Sequence, residues 1–199
     1  MIKAIFYDLD GVLVDACDWH YHALNDALEE HCGFTISYEE HLEKYNGLST
    51  KMKLKMMGLD EPTAIKVWEV KQARTLKNIR RFGFRDQYKE NLHRWTAAQG
   101  IRIACVTNSI RESAREMLKV TGQLDYLDFI ITNEDVTKNK PHPDCYLLAL
   151  EKIGLQKDEV LIVEDSPKGR AAAHASGIPV IEVENAFDVT LDFIKGRLS

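Results

Sequence analysis

The run Ile2 to Tyr7 is mostly apolar, with β-branched and aromatic side chains, and it stops at Asp8-Leu9-Asp10-Gly11. Such a run is a short buried strand, and a strand that ends on two acids two residues apart narrows the fold sharply. If extended geometry continues, a period of two puts Asp8 and Asp10 on one side at the strand's carboxyl end, where open α/β sheets take ligands. Gly11 then lets the backbone turn away. Two carboxylates so placed repel by about 4 kcal/mol at about 4 Å and an effective dielectric of about 20. A shared proton or a hard cation offsets this, and Mg²⁺ suits the second because it takes oxygen ligands and commonly binds one or two carboxylates plus phosphate oxygens. The bland alternative is a solvated turn, for which Asp and Gly are ordinary residues.

Beyond this strand the chain first turns helical. Trp19, Ala23, Leu24, Ala27 and Leu28 recur at helical spacing between Asp18 and His31, with Gly33 as the stop. Ser37 with Glu40 reads as a capping box opening a helix to Tyr45. Ser49 or Thr50 starts a third helix through Met57, and a fourth follows Pro62, carrying Ile65, Val67, Trp68, Val70 and Leu76 as far as Gly83. After Arg85 helix and strand alternate: helix Asp86 to Gln99, strand Ile101 to Thr107, a helix from Ser109 or Arg111 to Val120, and strand Phe129 to Ile131. A helix from Pro143 to Ile153, strand Val160 to Val163, helix Lys168 to Ser176 and strand Ile178 to Val183 complete the pattern. The alternation predicts an α/β fold, a doubly wound parallel sheet with right-handed crossovers.

Composition narrows the classes of partner. With 45% hydrophobic and 29% charged residues, 11 glycines and 5 prolines, the 199-residue chain is globular rather than disordered or collagenous. A formal net charge of −5 gives no footprint for nucleic acid. Cys17, Cys32, Cys105 and Cys145 form no C-x-x-C pair and read as free thiols. The acids from Asp8 onward interrupt any signal-peptide core, and no apolar run has the length of a membrane span. The expectation is a soluble cytoplasmic protein, a monomer or weak dimer, with no membrane partner.

Three strands thus end in polar groups: Asp8 and Asp10, then Thr107-Asn108-Ser109, then Glu164-Asp165. In a parallel sheet those ends share one edge, and Lys140, in the loop after Phe129 to Ile131, can reach over it. Carboxylates, a hydroxyl, an amide and an ammonium converging there make a site for a metal plus a phosphate. Either that, or Thr107 and Asn108 cap the next helix, Lys140 is a solvated loop residue and Glu164-Asp165 is a turn.

With these four motifs, Asp8-Leu9-Asp10-Gly11, Thr107-Asn108-Ser109, Lys140-Pro141 and Glu164-Asp165-Ser166-Pro167-Lys168-Gly169, the chain resembles the haloacid dehalogenase superfamily, in the branch with a helical cap inserted after the first motif. The resemblance implies a Rossmann-like catalytic core of residues 1–14 and 85–199 and a cap of residues 15–84. It implies that Asp8 is the nucleophile, forming an aspartyl-phosphate, and that Asp10 is the general acid and base. Thr107 and Lys140 would hold phosphoryl oxygens, Asn108 and Ser109 would bind substrate, and Asp8, Asp10, Glu164 and Asp165 would hold Mg²⁺.

The cap resembles that of β-phosphoglucomutase and phosphoglycolate-phosphatase-like enzymes more loosely. His20 falls where the mutase has a residue assisting acid–base chemistry, or it is a satisfied helix histidine. The loop Asn46 to Lys51 corresponds to the cap's specificity loop, but Thr50 stands where the mutase has an arginine that clamps a second phosphate. His20, Thr50 and Lys51 are therefore the expected substrate contacts of the cap, while Lys51, Lys53 and Lys55 either supply charge or form a solvated helix face. The implied activity is a Mg²⁺-dependent phosphatase acting on a small phosphorylated metabolite, such as a sugar phosphate. A sugar-phosphate mutase and a catalytically inactive regulatory protein are the alternatives.

Overall fold

The computed structural model describes residues 1–198. Strand β1 (Ala4–Tyr7) is followed by helices α1 (Cys17–Cys32), α2 (Tyr38–Glu40), α3 (Thr50–Met56), α4 (Glu61–Phe82) and α5 (Gln87–Ala98). Strand β2 (Arg102–Val106), α6 (Arg111–Val120), β3 (Phe129–Ile131), α7 (Asp144–Ile153), β4 (Val160–Glu164), α8 (Pro167–Ser176), β5 (Val180–Glu182) and α9 (Leu191–Leu198) complete the chain. The five strands form one parallel sheet in the order β3-β2-β1-β4-β5. Among the described residues no helix is long and apolar enough to cross a membrane.

The sheet is covered on both faces, which is why its strands read as apolar runs rather than alternating patterns. Ile5, Tyr7, Ile103, Cys105 and Val163 pack with Leu92, Met117, Leu118 and Ile194 on one face. Ala4, Phe6, Ala104, Val106 and Ile162 pack with Tyr146, Ala149 and Ala172 on the other. Burying one such large side chain is worth about 1.5–3 kcal/mol, so the strand ends are held rigidly. In register, Tyr7 lies between Cys105 and Val163, which puts Asp8, Thr107 and Glu164 at one edge.

Helices α1 to α4 build a unit with an apolar cluster of their own, including Leu24, Leu28, Ile36, Tyr45, Leu54 and Val67. Gly33 ends α1 in the left-handed region at φ 71°, and Asp60 caps α4 by accepting from the Thr63 N–H. Trp19, Leu76 and Ile79 pack into the sheet's first cluster, rooting α1 and α4 beside it.

Three local expectations change. Ser37 does accept from the Glu40 N–H, but the helix it opens passes after one turn into a π-helical turn, His41–Tyr45. The extra residue per turn in that segment has no sequence signature. In α4, Ile65 is exposed, whereas the buried positions are Val67, Lys71, Gln72, Thr75 and Ile79. Finally, the pattern past Val183 suggested nothing, yet α9 forms there, and Lys89 Nζ donates to the carbonyls of Ala186 and Val189 at 2.6 and 2.8 Å, tying this segment to α5.

Candidate active site

The carboxyl ends of β1, β2 and β4 and the loop after β3 meet the helical unit across a cleft of about 430 Å³, lined by Asp8, Asp10, Thr107, Lys140 and Asp165 on the sheet side. Lys140 is 4% exposed, and its ammonium donates to Asp8 Oδ1 at 2.6 Å, to Glu164 Oε1 at 2.6 Å and to the Val106 carbonyl at 2.9 Å. Burial works to strip its proton, but Asp8 and Glu164 outweigh that and hold it well above the ordinary lysine value. Burial also pushes the Asp8 carboxyl up; Lys140 pulls it down, and Glu164, Asp165 and Asp10 push it further up. One ammonium among so many acids leaves the sheet edge short of positive charge.

Asp10 sits in a different setting. Its Oδ2 accepts from Ser109 Oγ at 2.8 Å and lies 3.5 Å from Thr107 Oγ1, while its Oδ1 meets His20 Nε2 at 2.7 Å. Lys71 Nζ lies 3.1 Å from the other ring nitrogen, Nδ1. An ammonium can only donate, so His20 Nδ1 accepts from Lys71 and Nε2 carries the hydrogen that Asp10 accepts. Burial foremost, then Lys71, hold His20 below its ordinary value against the pull of Asp10, so its grip on Asp10 is a hydrogen bond of a neutral ring. Burial alone would lift the Asp10 carboxyl, but His20, Ser109 and Lys71 outweigh it and bring it to about 2.

Asn108 joins the two walls. Its Oδ1 accepts from the Lys140 N–H at 3.1 Å, and its Nδ2 donates to the Gly47 carbonyl at 2.9 Å. Lys168, in the first turn of α8, donates to the Asn46 carbonyl at 2.9 Å. Gly47 approaches Ser166 so closely that an added Cβ would lie 3.0 Å from Ser166 Oγ.

On the helical side the structure brings in Thr50 and His20 and adds residues that the sequence reading missed. Thr50 is buried and lies 3.4 Å from Gln72 Nε2. Lys51 is exposed, 5.9 Å from the centre of the Trp68 ring. Lys53, by contrast, is 6% exposed and Lys71 5% exposed, and both line the cleft. Burial lowers Lys53 to about 8 and, with help from Lys53, lowers Lys71 to about 7. Of the two alternatives open for Lys53, supplying charge or lying on a solvated face, the structure takes the inward one, whereas Lys71 went unnamed because a lysine in a helix normally marks the wet face. His41 is buried nearby with neither ring nitrogen hydrogen-bonded, and burial followed by Lys53 drives it down to about 3.

The acids fit a hard cation. Asp8, Glu164 and Asp165 each offer an oxygen within 4.8 Å of one another. Glu164 is already satisfied: Oε1 accepts from Lys140 and, at 3.1 Å, from Tyr146, and Oε2 accepts from the Ser166 N–H and Oγ at 3.0 and 3.2 Å. Asp165 Oδ1 is buried without a hydrogen-bond partner, and burial with Glu164 lifts its carboxyl to about 7. An orphaned carboxylate oxygen beside Asp8 is what an oxygen-liganded divalent ion would satisfy.

Residues 5–183 match the family model for haloacid dehalogenase-like hydrolases. A phosphoglycolate phosphatase of Nitrosospira multiformis is 31% identical over 94% of this chain and 85% of its own length. A phosphorylated carbohydrates phosphatase of Thermotoga maritima is 25% identical over 89% and 82%. In fold, β-phosphoglucomutase from Clostridium difficile superimposes with a TM-score of 0.85 at 21% identity, covering 99% of this chain and 97% of that one. With the motifs of the match gathered at one sheet edge, the chain belongs to the haloacid dehalogenase-like hydrolases.

Proposed function

We propose that this family phosphatase hydrolyses a small phosphorylated metabolite, such as a sugar phosphate, with Mg²⁺ and through an aspartyl-phosphate on Asp8. The observation that carries the reading is the contrast between two carboxylates on one cleft wall: Asp8 bound by Lys140, and Asp10 bound by His20 and Ser109. Two acids in unlike settings divide nucleophilic and acid–base work.

Asp8, the backbone of Asp10 and Asp165 would hold the ion, while Glu164, its oxygens engaged, adds charge and fixes Lys140. Bound there, Mg²⁺ supplies the positive charge that lets a phosphate dianion approach an anionic nucleophile. Lys140 and Thr107 orient the phosphoryl oxygens, and Lys140 neutralises charge as Asp8 attacks phosphorus. Asp10 delivers a proton to the departing oxygen; His20 Nε2–H lies in line to supply it and Lys71 to replenish His20 at Nδ1. Asp10 then takes a proton from the water that cleaves the acyl phosphate, so phosphate leaves and Asp8 is restored. Residues 15–84 act as the cap, closing over this chemistry to exclude bulk water. Thr50, engaged with Gln72 and carrying no charge, favours hydrolysis over a mutase cycle that must clamp a second phosphate at that position.

A screen of phosphorylated metabolites with Mg²⁺ and with EDTA tests this. Turnover that needs Mg²⁺ and stops with EDTA is expected; turnover undiminished by EDTA overturns the metal role, and no turnover of any phosphate ester overturns the activity.

A further inference from the structure

The sheet unit and the helical unit meet along the rim of the cleft as well as inside it. Beside α8, the segment from Lys44 to Gly47 presents backbone to the sheet side. Lys168 Nζ donates to the Asn46 carbonyl at 2.9 Å and to the Lys44 carbonyl at 3.4 Å, and Asn108 Nδ2 donates to the Gly47 carbonyl at 2.9 Å. Gly47, at φ 74°, has no side chain to hold the segment off Ser166. In these three bonds every donor is a side chain of the sheet unit and every acceptor is a carbonyl of the helical unit.

Asn108 has other work, since it also accepts from the Lys140 N–H and lines the cleft. Lys168 is half-buried and does not line the cleft, and among the described residues the two carbonyls are its hydrogen-bond partners and it makes no ion pair. Its own helix gives it no reason to be there. Lys168 follows Pro167 in the first turn of α8, at the positive end of the helix dipole, where a cation is disfavoured. The helical unit offers the reverse: Lys44 and Asn46 stand at the carboxyl end of the π-helical turn His41–Tyr45, where carbonyls run out of partners within the turn and a lysine is a favourable cap. The ammonium is thus badly placed for α8 and well placed for the helical unit, and it gains the second setting only while the two units are together. That same arrangement brings His20, on α1, to within 2.7 Å of Asp10.

We propose that Lys168 is a positioning residue that latches the cap in its closed place, capping the carbonyl end of the π-helical turn from across the rim and so keeping His20 on Asp10. The proposal rests on the reading of residues 15–84 as a cap over a phosphatase site and deepens it. Lys168 touches no reacting atom; it acts through the placement of the cap, which contributes only backbone to its grip.

Pulsed electron–electron resonance on the full chain tests this, with spin labels on Glu39→Cys in α2 and Glu151→Cys in α7, both exposed positions, in a Cys17→Ser, Cys32→Ser background. The parent should show the label separation of the structure as its main population. Lys168→Met keeps the apolar stem and loses the donors, so the ratio of closed to open molecules should fall about tenfold. Lys168→Arg can donate to the same carbonyls and should restore it. With Mg²⁺ and p-nitrophenyl phosphate, kcat/KM should fall about tenfold in the methionine variant and recover in the arginine one. A Lys168→Met distance distribution like the parent's overturns the latch. A shifted distribution with kcat/KM unchanged overturns the positioning role, and equal losses in both variants mark Lys168 as merely structural and overturn it too. A shift restored by arginine supports the latch even if the parent turns over no phosphate ester, in which case the phosphatase reading alone falls.

Discussion

The sheet wall and the cap wall of the cleft both bury charge, and they do so differently. On the sheet wall Lys140 lies 2.6 Å from both Asp8 and Glu164, and Glu164 is further held by Tyr146 and Ser166, so this network is built before any ligand arrives. On the cap wall, among the described residues, the Lys71 ammonium meets only His20 and the Lys53 ammonium has no hydrogen-bond or ion-pair partner, and both are driven below the ordinary lysine range. The first wall is tied together by the chain's own residues around Lys140, with Asp165 Oδ1 left unbonded beside it. The second is held at a cost in stability for as long as its buried lysines stay charged.

The largest expected effect tests the sheet wall. Asp8→Asn should keep the fold and lower kcat at least a hundredfold, because the amide preserves shape and is not a nucleophile. Circular dichroism with steady-state assays checks both halves, and retained activity above a hundredth of the parent would remove Asp8 from its role. Next, Lys140→Met should cost about 3–5 kcal/mol of stability at neutral pH by leaving Asp8 and Glu164 buried without their cation. Without that cation the raised carboxyl of Asp8 rises further above its unfolded value. The variant's deficit is then smallest at low pH, where the proton is bound in both states, and grows as pH rises; urea titrations across that range measure it.

The cap wall should answer with the opposite sign. Lys71 titrates at about 7 folded, below its ordinary unfolded value, so below pH 7 the folded state bears the full burden of a buried charge. As pH rises from there toward about 10 the folded state sheds its proton first and the burden fades. Lys71→Met should therefore raise stability by on the order of 2 kcal/mol at pH 6, with the gain vanishing near pH 10, while activity falls. A variant less stable than the parent at pH 6 would break the contrast between the walls. The smallest effect belongs to Lys51→Ala, which removes an exposed cation beside Trp68 worth about 0.5–1 kcal/mol, so kcat/KM should move by less than about fivefold.

The same contrast explains what could be read from the sequence. Strand ends are legible because apolar runs stop abruptly at them: Tyr7 gives way to Asp8, Val106 to Thr107 and Val163 to Glu164, and parallel pairing brings those stops to one edge. The cap's inward face had no such mark. Helix α4 buries Lys71, Gln72 and Thr75 between Val67 and Ile79, while Ile65 faces water, so an apolar stripe is the wrong guide to a helix whose inner face lines a polar cleft. The π-helical turn at His41–Tyr45 adds to this, since the residues reading as one regular helix rotate out of register within it. The strand-end residues that line the cleft were thus named at the outset, whereas on the helical side Lys53 was left between two readings and Lys71 was not named.

The two acids after Val163 occupy space that glycines leave open. A Cβ on Gly169 would collide with the Glu164 carboxylate, and one on Gly11, where φ is +90°, would collide with that of Asp165. In a saturation mutagenesis library scored for activity, positions 11 and 169 should therefore fail as completely as the reacting residues, although neither owns a functional group. Gly58 and Gly154 make the control: they have positive φ but nothing within 4 Å of an added Cβ, so alanine there should cost only about 1–2 kcal/mol of backbone strain and leave most clones alive. A map of intolerant positions would then trace the outline of the carboxylates rather than a roster of chemical roles, and Gly169 would mark where Glu164 must rest for Lys140 to stay in place.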